Sequence, residues 1–301
     1  MTILIDPPAW PAHGTVFSHV VSDVSLSELH EFARRTGLSE RAFDQDHYDV
    51  PAQRYAEMVA AGAEEVSGRE LVRRLVRSGV RVPARQRSTR LVTALRLRWE
   101  RLLPQAPELG EELLQRWGEE HRHYHSRAHL LAVLEALDAL AEAGEDLGPD
   151  PRAVTLAAWF HDAVYAADPT RGRGADEEDS AVLAEQRLAG VAGVDPETVA
   201  EVARLVRLTV HHRPEPGDAA GAALSDADLA VLAGTEADYE RYRSAVRRDY
   251  AHVTDEQWCA GRAEVLRSLL ESPQLFHTRH GHMRWEAPAR ANLEAELTSL
   301  T

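Results

Sequence analysis

The sequence predicts a mainly α protein, an all-helical domain preceded by a small α/β domain, and three observations carry that prediction. From Ser88 onward, ten successive segments place apolar residues at three- and four-residue spacing, the period of an amphipathic helix. Before Ser88 the pattern is mixed. It opens with the apolar run Thr2-Ile3-Leu4-Ile5-Asp6, which Pro7-Pro8 cuts short in the manner of a brief buried strand. Between the two regimes, Pro83-Ala84-Arg85-Gln86-Arg87-Ser88 is polar and contains a helix-breaking proline. The expected organisation is a small α/β domain over residues 1–82, a linker over 83–90 and an all-α domain over 91–301. A chain of 301 residues is long enough for both.

In the small domain, Val16 to Val24 offers a second strand. Ser25 or Ser27 can cap a helix whose apolar stripe is Leu26, Leu29, Phe32 and Ala33, and Gly37 stops it. Pro51 to Ala61 has proline in its first turn, Arg69 to Val76 has Ser67 as its cap, and Gly62 and Gly79 follow as stops. In the large domain the helical segments are Thr89 to Leu103, Pro107 to Trp117, Arg127 to Ala143, Pro151 to Tyr165, Glu177 to Leu188, Pro196 to Thr209, Asp226 to Leu232, Ala237 to Tyr250, Glu256 to Leu270 and Ala287 to Leu300. Stretches rich in Gly, Pro and acids, such as Gly144 to Pro149 and Arg213 to Gly221, connect them. No βαβ alternation appears, so ligands must come from several packed helices.

The net charge of −15 is unevenly divided: residues 1–87 carry 11 Arg against 12 acids, and the remainder 23 Arg against 37 acids. That surface repels polyphosphate backbones and argues against general nucleic-acid binding, while a small phosphorylated substrate can still be held locally. All 34 basic residues are arginine. The lack of lysine removes the phosphate-loop lysine of NTPases, the kinase lysine and Schiff-base chemistry. The single cysteine, Cys259, excludes an intrachain disulfide framework and any CxxC site, so a reducing compartment, the cytoplasm, is expected. Met1 to Trp10 has no basic n-region and no run approaches a membrane span, so no membrane association is expected.

The chemistry concentrates between Tyr124 and Asp162. Tyr124-His125-Ser126-Arg127-Ala128-His129 opens one helix, and residues four apart on a helix share a face, so His125 and His129 are expected to point the same way. Ala153 to Phe160 is apolar nearly all round, the mark of a buried helix. Ending such a helix in His161-Asp162 is costly unless each group is paired or bound to a cation, and a divalent metal satisfies both. The helix dipole makes the same point, since an Asp at a C-terminus wants a cation. His121, His123 and His125 alternate, and could converge only on an extended segment. In the small domain His13, His19, Asp23, His47, Asp49 and Arg54 include plausible ligands, but their spacings match no metal template; capping and loop hydrogen bonding is the favoured reading.

The order His129, then His161-Asp162, then a distant Asp228 resembles the HD superfamily of metal-dependent phosphohydrolases, over roughly Ser88 to Thr301 and most closely a bacterial branch known only as predicted HD phosphohydrolases. The resemblance implies that His129, His161, Asp162 and Asp228 hold a divalent cation. It also implies, through Tyr124-His125, that His125 is a general acid. The late ligand sits in Ser225-Asp226-Ala227-Asp228-Leu229, where Asp226 is a rival and Asp228 could instead cap a helix; the Ala-Asp-Leu match favours Asp228. Asp176 to Ala181 is similar to a family segment, which makes Glu178 a candidate catalytic residue and Glu177 a candidate for a second metal or phosphate, unless both are simply a charged first helical turn. His212, in a segment where Val210 replaces the family's lysine, could ligate a second metal, bind phosphate or cap its helix. Arg122, Arg127, Arg247, Arg248 and Arg262 are candidates for the anionic substrate, against the usual fate of arginine on a solvated face. The small domain resembles a bacterial domain of unknown function through Ile5-Asp6-Pro7-Pro8, Trp10-Pro11, Ser18-His19, Ser22-Asp23 and His47-Tyr48-Asp49.

What this implies is hydrolysis of a phosphomonoester or phosphodiester of a small, nucleotide-like substrate by metal-activated water, with Asp162 or Asp228 orienting the nucleophile. Mixed His and carboxylate ligands suit Mn²⁺, Fe²⁺, Co²⁺, Ni²⁺ or Zn²⁺ better than Mg²⁺ alone. Two alternatives belong to other classes. An HD-fold di-iron oxygenase would need Glu177, Glu178 or His212 to complete a second metal, because no histidine lies between Asp162 and His211. A non-catalytic nucleotide-sensing module would use the site for binding alone.

Overall fold

The computed structural model describes residues 2–12, 15–39, 42–44, 46–78 and 88–300. It divides into two compact units, Met1–Arg90 and Leu91–Thr301. Among the described residues the chain is mainly α, with fourteen α-helices and one five-stranded sheet. His13, Gly79 and most of the expected linker lie outside the described residues.

The first unit holds strands β1 (Ile3–Ile5), β2 (Trp10–Ala12), β3 (Thr15–Ser22), β4 (Tyr48–Pro51) and β5 (Glu64–Glu65), with helices α1 (Leu26–Thr36), α2 (Tyr55–Ala60) and α3 (Gly68–Arg77). Strand β3 pairs antiparallel with β1, β2 and β4, and β1 pairs parallel with β5. Side chains alternate across a strand, and both faces are covered here. Ile3, Ile5 and Val20 pack with Leu29, Phe32 and Met58 on one face, while Leu4 and Val21 pack with Leu71 and Leu75 on the other. That explains an apolar run without alternation in so short a strand. Ser25 caps α1 by accepting from the Glu28 amide, and Gly37 closes it at φ 65°, where a side chain would be strained. The single helix expected from Pro51 to Ala61 is corrected: Pro51 ends β4, a 3₁₀ turn covers Ala52–Arg54, and α2 follows. Proline is tolerated at strand ends, and pairing with β3 outweighs its preference for a first helical turn.

The second unit comprises α4 (Ser88–Leu102), α5 (Pro107–Arg116), α6 (Arg127–Glu142), α7 (Pro151–Phe160), α8 (Ala175–Leu188), α9 (Pro196–Leu208), α10 (Ala219–Leu229), α11 (Glu236–Asp249), α12 (Asp255–Leu270), α13 (Arg279–Arg284) and α14 (Glu286–Leu300). One core joins Trp99, Trp117, Trp159 and Phe160 with the leucines of α6 and the apolar faces of α9 and α10. A smaller one joins Tyr239, Leu266, Phe276, Ala289 and Leu293. Helix α10 packs on α6, α7 and α9, which brings together segments far apart in sequence.

Two boundaries differ from expectation by several residues, at the end of α7 and the start of α10. Helix α7 stops at Phe160 rather than Tyr165, so His161 and Asp162 lie in the turn after it. Helix α6 starts at Arg127 as expected, so His125 stands just ahead of it and not on its face. Helix α10 starts at Ala219, not Asp226, because Asp218 caps it through the Gly221 amide. Its opening Ala-Ala-Gly-Ala-Ala-Leu is buried so evenly that no stripe marks it. The short α13 was not anticipated.

Candidate metal centre

Helix α6 delivers His129 from its first turn, buried beneath Tyr124 and Trp117. The end of α7 delivers His161, its C-terminal cap in helical conformation, and Asp162 in the turn that follows. The last turn of α10 delivers Asp228. His129 Nε2 lies 3.1 Å from His161 Nε2 and 3.0 Å from Asp228 Oδ1, and His161 Nε2 lies 3.6 Å from the same oxygen. Asp162 Oδ2 stands 3.3 Å from His161 Nε2 and 3.9 Å from His129 Nε2.

The three shortest of these separations, 3.0, 3.1 and 3.3 Å, are those of ligands around one ion, while 3.6 and 3.9 Å are wider. Ligands about 2.1 Å from one ion sit ~3.0 Å apart across an octahedral edge and ~3.4 Å across a tetrahedral one. His161 Nδ1 donates to the Ala158 carbonyl at 2.8 Å, which leaves the Nε2 lone pair of the neutral ring facing the cluster, the usual orientation of a ligating imidazole. The electrostatics favour positive charge at this point. Burial pushes His161 down, but the Asp162 and Asp228 carboxylates outweigh it and raise the ring to about 9. Burial likewise lowers His129. Asp228 is pushed up by burial and pulled well below the carboxylate range by the histidines around it.

Two histidines flank the cluster. His212 Nε2 lies 2.8 Å from Asp228 Oδ2, so the carboxylate offers one oxygen to the His129–His161 pair and the other to His212. His212 adopts φ 52°, a left-handed conformation uncommon for a non-glycine residue. Its amide donates to Leu208 O and its carbonyl accepts from His277 Nε2, and these bonds hold the strained residue in place. On the other side, His125 Nε2 is 3.9 Å from Asp162 Oδ2 while its Nδ1 is 3.0 Å from Asp249 Oδ2. Asp249 also accepts from the His123 and Tyr124 amides and the Tyr165 hydroxyl. Burial raises its carboxyl, and these bonds, led by His125, bring it below the ordinary value. Asp249 was missed from sequence. Nothing in the spacing along the chain marks it, because a lone acid at the end of a charged helix reads as solvated.

Several expected site residues are placed elsewhere. Glu178 is exposed and makes a two-pronged ion pair with Arg207, so it is not part of the cluster; its neighbour Glu177 is half-buried and feels the charges of Asp162 and His212. Three of the five candidate arginines, Arg127, Arg247 and Arg262, are engaged by protein partners. Arg127 donates from Nε to Leu114 O and lies against Gly118, tying α5 to α6. Arg247 is spent on Tyr250 O, Val253 O and Asp255. Arg262 is buried, pairs with both oxygens of Glu296, and stacks on Tyr242, which packs on Tyr124 and through it on His129. Arg122 is a clamp: it donates to the carbonyls of His125, Asp162 and Ala163, joining the segment before α6 to the turn after α7. Asp226 is occupied by the His277 and Thr278 amides and the Thr278 hydroxyl, which leaves Asp228 as the carboxylate facing the histidines. His121 contacts the Tyr165 carbonyl instead.

The fold and site thus define a mainly α chain in which two buried His and a half-buried Asp are grouped so that they could hold a metal ion. Residues 3–78 match a family described as a protein of unknown function (DUF4031), which supports the small N-terminal domain of unknown function. No curated protein and no solved structure matches the chain. Among the described residues no helix is long and apolar enough to cross a membrane.

Proposed function

We propose that the helical unit is a metal-dependent phosphohydrolase of the HD type, acting on a phosphomonoester or phosphodiester of a small, nucleotide-like molecule. The observation that carries this reading is the meeting of His129, His161 and Asp228, from three separate helical segments, with ligand atoms within 4.8 Å of one another. His129, His161, Asp162 and Asp228 would hold a divalent transition metal, which when bound polarises a phosphoryl oxygen and acidifies water. His125 is the group for the leaving oxygen. Asp249 faces its Nδ1, so Nε2, the atom turned towards Asp162, is the one that would exchange a proton with the leaving oxygen. Asp162 Oδ2, between His125 and the histidine pair, is placed to orient the nucleophile. With Arg127, Arg247 and Arg262 engaged in the scaffold, phosphate contacts fall to the cation, His125 and His212.

The test is a panel of phosphoesters assayed on protein loaded with Mn²⁺, Fe²⁺, Co²⁺, Ni²⁺ or Zn²⁺, with metal content measured in parallel. Turnover that requires metal and vanishes in Asp162→Ala together with the metal of the helical unit supports the reading. Parental hydrolysis by that variant sinks it. Anaerobic loading with iron followed by Mössbauer spectroscopy separates hydrolysis from the oxygenase alternative, since only the latter demands a coupled pair. Thermal shift with nucleotides in the absence of phosphate release would favour the sensing module.

A further inference from the structure

We infer a second metal site, independent of the first, in the small unit: a divalent late transition metal held by His19 Nε2, His47 Nε2 and the Asp49 carboxylate. The strand register makes it. His19 on β3 is directly opposite Asp49 on β4, so the two side chains share a face of the sheet. His47 precedes Asp49 by two residues and therefore emerges on that same face. The three ligand atoms lie within 4.8 Å of one another, with Asp49 Oδ1 3.8 Å from His19 Nε2 and 3.5 Å from His47 Nε2. The ring centroids are 4.8 Å apart and the rings nearly perpendicular at 84°, so they meet edge to face and do not stack.

What lies behind the ligands argues for a built site rather than a chance meeting. His19 Nδ1 is 3.1 Å from Asp6 Oδ2 and His47 Nδ1 is 2.6 Å from Asp46 Oδ1, and both of those carboxylates are buried. A carboxylate on the far nitrogen fixes the tautomer that presents Nε2 and makes the imidazole a better ligand. Asp6 is itself held by the His19 amide at 2.6 Å and by Trp10 Nε1 at 3.3 Å. Two imidazoles and one carboxylate suit Zn²⁺, Co²⁺, Ni²⁺ or Cu²⁺ better than Mg²⁺ or Ca²⁺. With the Asp49 side chain 45% exposed, the site opens towards solvent, as exchangeable and catalytic metal sites do, whereas structural zinc is enclosed by four ligands. No family-wide activity enters this inference, and it stands whether or not the helical unit is a hydrolase.

The full-length chain, stripped with chelator and reloaded with Co²⁺ or Zn²⁺, should retain two equivalents of metal per chain after dialysis. Asp49→Asn and His47→Ala should each retain one, and Asp228→Ala should retain the other. Circular dichroism checks that each variant is folded, and Asp49→Asn, which keeps the shape of a half-exposed side chain, guards against a mere folding defect. A second readout is local. Trp10 packs on His19 with centroids 5.2 Å apart and is 56% exposed, so Cu²⁺ or Co²⁺ bound there should quench its fluorescence, and Trp10→Phe should remove that part of the quench. The inference is overturned if the parent retains at most one equivalent and Asp228→Ala abolishes it. It is equally overturned if Asp49→Asn and His47→Ala match the parent in stoichiometry and quenching, which would put both ions in the helical unit.

Discussion

Asp249, at the end of α11, sits 3.0 Å behind His125, more than a hundred residues earlier in the chain, and orients it. The same carboxylate gathers the amides of His123 and Tyr124, so it shapes the segment that carries His125 as well as the ring. Asp249→Asn keeps the volume but puts a neutral amide, which can donate as well as accept, where a charged acceptor stood behind Nδ1. The expected result is a fall in kcat on the order of 10–100-fold, the usual effect of losing a histidine's backing carboxylate, with metal content unchanged. Steady-state kinetics and metal analysis on the same preparation check this; parallel loss of metal would make Asp249 a support of the ligand cluster instead.

Asp226 and Asp228 are two residues apart and do unlike work. Asp228→Ala removes the oxygen shared by the two histidines and should abolish metal retention in the helical unit, with little effect on the fold in the absence of metal. Asp226→Ala strands the His277 and Thr278 amides in a buried place, at ~1–3 kcal/mol each, so roughly 2–6 kcal/mol of stability should be lost. Whatever fraction of that variant is folded should still bind metal. Denaturant melts beside metal titrations separate the two, and equal metal loss in both would refute the division.

How much of this was legible in the sequence follows from the physics of each part. The helices with apolar stripes and proline or Asp at their start, such as Pro151–Phe160 and Pro196–Leu208, could be read directly because propensity, capping and burial agree. Strands β2, β4 and β5 could not, being too short to show alternation. The grouping of His129, His161, Asp162 and Asp228 followed from a resemblance that names residues. Glu178 and the arginines did not follow, because a charged side chain on a helix reads alike whether it faces substrate, solvent or a partner such as Glu296. His19, His47 and Asp49 needed the β3–β4 register, which no spacing along the chain reveals.

Arg262 belongs to the scaffold. Its guanidinium is 7% exposed as a residue and bonded to both Glu296 oxygens, so Arg262→Ala leaves a buried carboxylate unpaired. Loss of about 3–5 kcal/mol is expected, with KM for any phosphoester turned over unchanged in the folded protein; a substrate-binding arginine would show the reverse. The pair also carries a pH signature. Burial pushes Glu296 up, but Arg262 and the Tyr239 hydroxyl more than compensate and lower it from the ordinary 4.5. A carboxyl depressed in the folded state stabilises fully above its unfolded value and loses that contribution as pH falls through the folded one. Glu296→Gln should therefore flatten the acid limb of stability below about pH 4.5 and cost most near neutrality, as acid melts of parent and variant would show.

Metal removal is the most direct probe of the helical site. Without a cation, two half-buried carboxylates meet two buried imidazoles on the strength of a proton at His161. A divalent ion replaces that proton with a stronger and better coordinated charge, and because the unfolded chain lacks the arrangement, binding adds directly to stability. At a free metal concentration 100 times Kd the gain is about 2.7 kcal/mol. Chelation should lower Tm reversibly, and re-addition of Mn²⁺ or Co²⁺ should restore it. In His129→Ala the response to re-added Mn²⁺ should shrink sharply, since that ring contacts His161 and Asp228 at once. An undiminished Mn²⁺ response in His129→Ala would show that the stabilising ion binds elsewhere in the chain.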